Sequence, residues 1–408
     1  MDIRPILTTL RRHKTAAALI VFEVALTCAI ICNAVFLIQS RITRMNSPSG
    51  MVENELLRVG VRGINAQGDN EALTRSDLAL LRSLPGVKSV SIANQVRYGD
   101  SSWNSSVNLT SDQKIPSASV STYLADAQFV KTLGLKLVAG RDFTPDEMIS
   151  YAKLREPGAD VAVPSAIITR ALADKLYPGQ DPVGKVFYSW DDDPTRVIGV
   201  VEHLLRPNDW IKPGMGDFSV IFPIEMGYDN GVYLLRVDPA QRQQVLKSAG
   251  EALVKNGPVR ILSERNARVE DMADKFYQTD RSMIWLLSAV CIALLIVTAL
   301  GIIGLASFWV QQRTRQIGVR RALGATRGQI LRYFQTENFL LTSIGIVIGM
   351  AMAFAINLAL MKYYELPRLP ALYLPLGALC LWALGQIAVY GPAKRAAMVP
   401  PALATRSA

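Results

Sequence analysis

Four apolar runs set the pattern of the chain. Residues 15–38 are apolar except for scattered polar groups and one charge, Glu23. Residues 283–310, 339–361 and 372–390 carry no charge at all. A bilayer core about 30 Å thick needs about 20 helical residues, so each run predicts a membrane-spanning helix. Uncharged runs of 28 and 23 residues exceed ordinary buried helices of soluble domains. The fourth has 19 residues and holds Pro375 and Gln386, which makes it the weakest signal of the four. The first is longer than the apolar region of a cleaved signal, no small-x-small site ends it, and Gln39-Ser40-Arg41 follows. It reads as a retained helix.

The insert 39–282 has mixed periodicity. Residues 55–62 alternate as a strand, 73–84 have helical spacing up to Pro85-Gly86, and 88–98 read as a strand. A second such unit follows at 231–237 (strand), 239–256 (helix) and 258–263 (strand). Between the two lie short strand patterns at 118–124, 136–138, 162–168, 185–190 and 196–201, with one helix at 168–177. Residues 266–281 run as a helical stalk into the second span. The predicted fold is an α-helical membrane protein with four transmembrane helices. A large extracytoplasmic α+β domain of two subdomains is inserted between helices 1 and 2.

Charge then orients the chain. Its 408 residues include 44 Lys and Arg against 34 Asp and Glu, a formal charge of +10. Arg4, Arg11, Arg12 and Lys14 precede the first span. Arg313, Arg315, Arg320, Arg321, Arg327 and Arg332 lie in segment 311–338, and Lys394, Arg395 and Arg406 in the tail 391–408. Against these stand Asp2, Glu23 and Glu337, so the whole excess lies on one side. The positive-inside rule puts both termini and 311–338 in the cytoplasm, and 39–282 and 362–371 outside. The insert is balanced in charge, which argues against a nucleic-acid partner. All four cysteines (Cys28, Cys32, Cys291, Cys380) fall in predicted spans, so the insert must fold without disulfides. The only histidines, His13 and His203, lie on opposite predicted sides, so no metal site is expected. Gly179-Gln-Asp-Pro-Val-Gly184-Lys185 matches the start of a phosphate-binding loop. Val186 stands where Ser or Thr should ligate Mg²⁺, and a strand pattern follows where a helix is needed, so the stretch reads as consecutive turns.

Several segments resemble one family. Arg313-Thr-Arg-Gln-Ile317-Gly318-Val-Arg320-Arg321-Ala322-Leu-Gly324-Ala325-Thr326 resembles the segment after the second span of MacB/FtsX-type ABC-transporter permeases, with Gln316 where Glu is usual. Leu133-Gly-Leu-Lys-Leu-Val-Ala-Gly140-Arg141-Asp-Phe143 and Val197-Ile-Gly199-Val-Val201 look like that family's periplasmic core domain. Pro392-Ala-Lys-Arg-Ala-Ala-Met-Val-Pro400 looks like its C-terminal signature, closing a permease domain at about 283–400. The resemblance implies a multi-pass protein of the bacterial inner membrane that works as a dimer with a second permease, a copy of itself or a related chain. It also implies a cytoplasmic ABC ATPase subunit. MacB carries its ATPase ahead of the first span; with 14 residues ahead of it here, the resemblance implies ATP bound by a separate polypeptide and no cofactor or catalytic residue in this one. The ATPase-coupling residues so implied are Arg313, Arg315, Ile317, Gly318, Arg320, Arg321, Gly324, Ala325 and Thr326. Ile317, Val319, Leu323, Ile330, Leu331 and Phe334 provide an apolar stripe that would seat a helix in a groove of the partner. The bland alternative for the arginines is topology and lipid head groups.

Within the spans, Glu23 is a candidate functional acid, Asn33 and Asn357 are candidate interhelical hydrogen-bonding groups, and Gly345 and Gly349 permit close helix packing. The family reading implies mechanotransmission: ATP-driven movement of the spans moves the external domain. Export from the periplasm with an adaptor protein and an outer-membrane channel leads. Lipoprotein extraction and a non-transporting regulator of envelope enzymes are the alternatives.

Overall fold

The structure, a computed structural model, describes residues 14–63, 69–99, 102–158, 161–190, 193–208, 216–364 and 368–400. Asp2, Arg4, Arg11, Arg12, His13 and Arg406 lie outside them. Two compact units result: one of residues 1–46 and 279–408, the other of residues 47–278.

The first unit is a helix bundle. Helix α1 spans Lys14–Met45, which extends the predicted span outward. The inserted unit supplies α2 to α7, introduced below. Helix α8 is Gln278–Gln312, α9 Thr314–Ala322, α10 Arg327–Tyr364 and α11 Tyr373–Ala397. α1, α8, α10 and α11 are long and apolar enough to cross a membrane. The apolar window of α1 is 61% buried and that of α8, taken with the stalk, 11%, so α1 is the inner helix and α8 lies at the edge. Pro375 sits in the first turn of α11, where its missing N–H has no intrahelical partner to lose. Trp382 and Gln386 then fix α11 to α10 by donating to Ser343 Oγ (3.0 Å) and the Gln335 carbonyl (3.3 Å).

The second unit is built on a twelve-stranded sheet. Its first part is β1 (Leu56–Val59), β2 (Val61–Gly63), α2 (Asn70–Ser83) and β3 (Val87–Ala93). The chain then leaves for β4 (Asn104–Val107), β5 (Ala118–Ala125), α3 (Phe129–Leu133), β6 (Leu137–Gly140), β7 (Ile149–Ser150) and α4 (Tyr151–Leu154). β8 (Ser165–Thr169), α5 (Arg170–Leu176), β9 (Val186–Phe187), β10 (Thr195–Val201) and β11 (Ser219–Glu225) complete this part. It returns through β12 (Val232–Val237), α6 (Arg242–Lys255), β13 (Arg260–Leu262), β14 (Ala267–Arg268) and α7 (Val269–Phe276).

The strand order is β14-β1-β12-β3-β5-β11-β8-β10-β6. Among the described strands, the two halves of the sheet pair only between β3 and β5, through the single register pair Ala93–Ala125. That is the two-subdomain insert expected from the sequence, with the second part inserted into the first. Two differences have local causes. The single strand expected over 55–62 is split at Gly60, whose N–H is taken by Asn266 Oδ1 at 2.7 Å, so β2 leaves the large sheet to pair with β13. The strand expected over 185–190 shrinks to two residues. The Gly179–Lys185 stretch forms turns, as Gln180 N–H bonds Tyr177 O and Lys185 N–H bonds Pro182 O.

Candidate coupling site

Segment 311–338 is built from the end of α8, all of α9 and the start of α10. α8 breaks at Arg313 (φ −104°, ψ 10°), and α9 starts at once. α9 stops on Gly324, whose φ of +98° a side chain would strain. Ala325 N–H bonds Arg320 O (3.0 Å) and Gly324 N–H bonds Arg321 O (3.2 Å), which closes the helix end with a Schellman motif. Thr326 then starts α10 with a reciprocal cap: its N–H bonds Gln329 Oε1 (2.9 Å), and Gln329 N–H bonds its Oγ1 (3.3 Å). So Gly324, Ala325 and Thr326 shape a rigid corner between α9 and α10.

The corner is packed from within. Ile317, Ile330 and Phe334 bury against Val310, Ala393, Ala396 and Ala397. This corrects the expected apolar stripe. Those three side chains hold the segment to the protein's own α8 and α11, and Leu331 is half-buried beside them. Only Val319 (45% exposed) and Leu323 (83%) face outward. Gly318 is buried on the inner face of α9.

Arg313 is corrected in the same way. Its Nη1 donates to both oxygens of Glu337 at 3.0 Å, and the two side chains are 9% and 1% exposed. Its guanidinium also lies 5.6 Å from the Trp309 ring. An arginine so placed braces α8 to α10 and is not free to meet a partner. Arg315 and Arg320 are exposed, Arg321 half-buried, and Arg320 rests over the Tyr333 ring at 5.0 Å.

Of the polar groups of the spans, Asn33 joins two helices, whereas Asn357, expected to do the same, holds the loop between α10 and α11. Asn33 Nδ2 donates to Ala353 O on α10 and to Ala29 O, both at 3.0 Å, and Asn357 Oδ1 accepts from Leu369 N–H at 2.9 Å. Glu23 lies against Gly301 of α8, and one turn on Thr27 bonds Thr298 at 2.9 Å. A Cβ on Gly345 would come within 2.8 Å of Val24 Cβ, and one on Gly349 within 2.5 Å of Cys28 Cβ. The two glycines therefore let α1 and α10 touch. Among the described residues no group of three or more metal-ligating side chains gathers.

Two further clusters escaped sequence reasoning. Asp280, 4% exposed at its side chain, takes Arg41 (2.5 Å) and Arg44 (3.3 Å), so the outer end of α1 is clasped to the start of α8. In the inserted unit, Arg97 donates to the Arg206 carbonyl and to Tyr277 Oη (3.1 Å), and lies over the Phe276 ring at 5.1 Å. Its neighbour Tyr98 has φ +69° and donates to Glu53 Oε1 at 2.6 Å. The segment just after β3, beside the junction of the sheet halves, is thereby locked to the end of α7. A lone acid at the end of a basic segment was the available signal for Glu337. The Thr326-x-x-Gln329 spacing was the signal for the cap.

Residues 21–252 match the MacB-like periplasmic core domain and 288–401 the FtsX-like permease C-terminal domain. The chain belongs to the MacB/FtsX-type ABC-transporter permeases. It is 27% identical over 335 residues to the macrolide export ATP-binding/permease protein MacB of Shewanella sp. (strain W3-18-1), covering 77% of this chain and 45% of that one. It is 25% identical over 301 residues to the uncharacterized ABC transporter permease YknZ of Bacillus subtilis (strain 168), covering 69% and 65%. This permease thus spans less than half the length of the MacB relative. The periplasmic region of MacB from Actinobacillus actinomycetemcomitans aligns with a TM-score of 0.33 at 16% identity, over 58% of this chain and 97% of that one.

Proposed function

We propose that this permease is the membrane subunit of a transporter in which a separate cytoplasmic ATPase drives movements of the inserted unit, expelling a substrate from the periplasm with an adaptor protein. In this reading it sits in the bacterial inner membrane, with both termini and segment 311–338 in the cytoplasm and the inserted unit in the periplasm. A second permease, identical or related, covers the apolar face of α8, where Trp285, Leu286 and Leu300 are exposed. The MacB relatives are named for macrolide export; export is carried over here as a class, without that substrate.

The observation that carries the reading is the corner of α9 and α10. It is internally braced by Arg313–Glu337 and by its own apolar packing, yet presents Val319, Leu323 and exposed arginines outward. A rigid element with a small apolar tip and a basic rim suits docking into a groove with acidic edges. The Arg41/Arg44–Asp280 clasp supports the mechanical part, as does the Arg97–Tyr277 link within the inserted unit. Co-expression with the ATPase tests it. Leu323→Glu should abolish capture of the ATPase while the chain still inserts in the membrane. Undiminished capture would refute the docking role.

A further inference from the structure

A cavity of about 180 Å³ opens in the second part of the inserted unit, where the end of α4, the chain entering β8 and the chain between β9 and β10 come together. Leu154, Val161 and Val163 make one part of its lining, Trp190 and Asp193 another. The Trp190 ring is held 4.4 Å from the ring of the buried Phe222 and is still 40% exposed. Asp193 is exposed, and among the described residues it has no hydrogen-bond or ion-pair partner. No basic residue is among those that line the cavity. Two neighbouring cations are turned elsewhere: Arg155 lies over the Tyr151 ring at 5.9 Å, and Arg196 donates to the Gly184 carbonyl at 3.4 Å. Segments 156–164 and 186–195, which carry most of the lining, hold five acids and no base in the sequence. A fixed indole beside an unpaired carboxylate, in a negative field, selects a cation.

We infer that this cavity takes the guanidinium end of an arginine on a partner protein, with its plane on the Trp190 ring and its donors on the Asp193 carboxylate. The volume is below the ~300–1,000 Å³ of sites that hold whole small molecules, and it suits a single side chain. Guanidinium is the cation that makes both contacts, since it stacks on an aromatic face and meets a carboxylate through a planar fork. Leu154, Val161 and Val163 cover the methylene stem of such a side chain. This deepens the reading in which an adaptor protein meets the inserted unit, and rests on it for the partner. The cavity is tested with the side chain alone, so its failure leaves the adaptor reading standing.

The full chain, labelled with fluorotryptophan and purified in detergent, is followed by fluorine NMR, with Trp190→Phe identifying the Trp190 line. The probes are an acetylated Gly-Arg-Gly amide, the same peptide with citrulline in place of arginine, and agmatine, which carries the guanidinium without a peptide. At millimolar concentration the arginine peptide should shift the Trp190 line. The citrulline peptide, close in shape but uncharged, should not. Asp193→Asn should weaken the arginine peptide about three-fold. Asp174→Asn, at an exposed acid of α5 outside the cavity, should change nothing. A Trp190 line that the arginine peptide leaves in place would overturn the site. So would an equal shift by the citrulline peptide, or an affinity unmoved by Asp193→Asn. A shift by agmatine with none by the arginine peptide would overturn the protein partner and give the cavity to a small free cation.

Discussion

Removing Arg313 takes from the buried Glu337 the guanidinium that bonds both of its oxygens. Breaking such a pair from one side costs about 3–5 kcal/mol, whereas replacing both partners by apolar residues is close to neutral. Arg313→Met should therefore lower the thermal midpoint of the detergent-solubilised chain sharply. The double variant Arg313→Met/Glu337→Leu should recover most of the loss. Additive losses would show that the pair does not act as a unit. The inserted unit has a titrating counterpart in Asp126, whose carboxyl is raised to about 6, chiefly because burial disfavours the charged form. Hydrogen bonds from Ser91 (2.5 Å) and Gln128 N–H (3.3 Å) only partly offset that burial. A folded-state pKa above the unfolded one near 3.9 penalises folding at neutral pH. The penalty shrinks as pH falls through 6 and is gone below about 4. Over about two pKa units it amounts to about 2–3 kcal/mol. Asp126→Asn keeps the Oδ1 acceptor, so it should stabilise a 47–278 fragment at pH 7.5 and leave it unchanged near pH 4. A gain of the same size at both pH values would sink this account.

At the scale of elements, α1 and α10 are joined by contact rather than by charge. A leucine at Gly349 would drive into Cys28 and Ala25, an overpacking worth about 1–3 kcal/mol. At Gly304 of α8 no atom lies within 4 Å of the added Cβ. Gly349→Leu should lower the melting temperature and the yield of folded chain, and Gly304→Leu should do neither; equal effects would mean the glycines are not contact positions. The spans were legible because length and lack of charge suffice to mark them. The apolar stripe of 317–334 was legible as amphipathic but not as self-directed. Periodicity tells that a face is apolar, not whether α11 or another protein covers it. Strand β11 has no counterpart among the expected strands, and it carries Pro223, a residue that disfavours a central strand. It survives in a central strand because it stands at the end of the ladder with β5, opposite Ala125, where the missing N–H costs least. The Asp280 clasp joins residues 239 positions apart in sequence, and no spacing rule reaches that far.

For the whole molecule, the inserted unit is reached and left through α1 and α8, so the side of the membrane it occupies fixes the side of everything else. Segment 311–338 begins where α8 ends, and the length of α8 is enough to cross the bilayer. Under the proposed four-span topology the inserted unit and the α9–α10 corner therefore fall on opposite faces. The proposed orientation takes the corner as cytoplasmic, on the positive-inside rule. Thiol labelling decides it, provided the reporter sits where a side chain is tolerated. Gly140 is unsuitable, because its φ of +72° strains any side chain and an added Cβ would collide with the Ile198 carbonyl. Ile115, 80% exposed on the inserted unit, and Leu323, 83% exposed at the corner, are free of that problem. The native cysteines lie within α1, α8 and α11, where a charged reagent does not reach. In cells with a permeabilised outer membrane, an impermeant maleimide should label Ile115→Cys at once and Leu323→Cys only after lysis. The reverse order would invert the molecule and place the α9–α10 corner beyond the reach of any cytoplasmic ATPase.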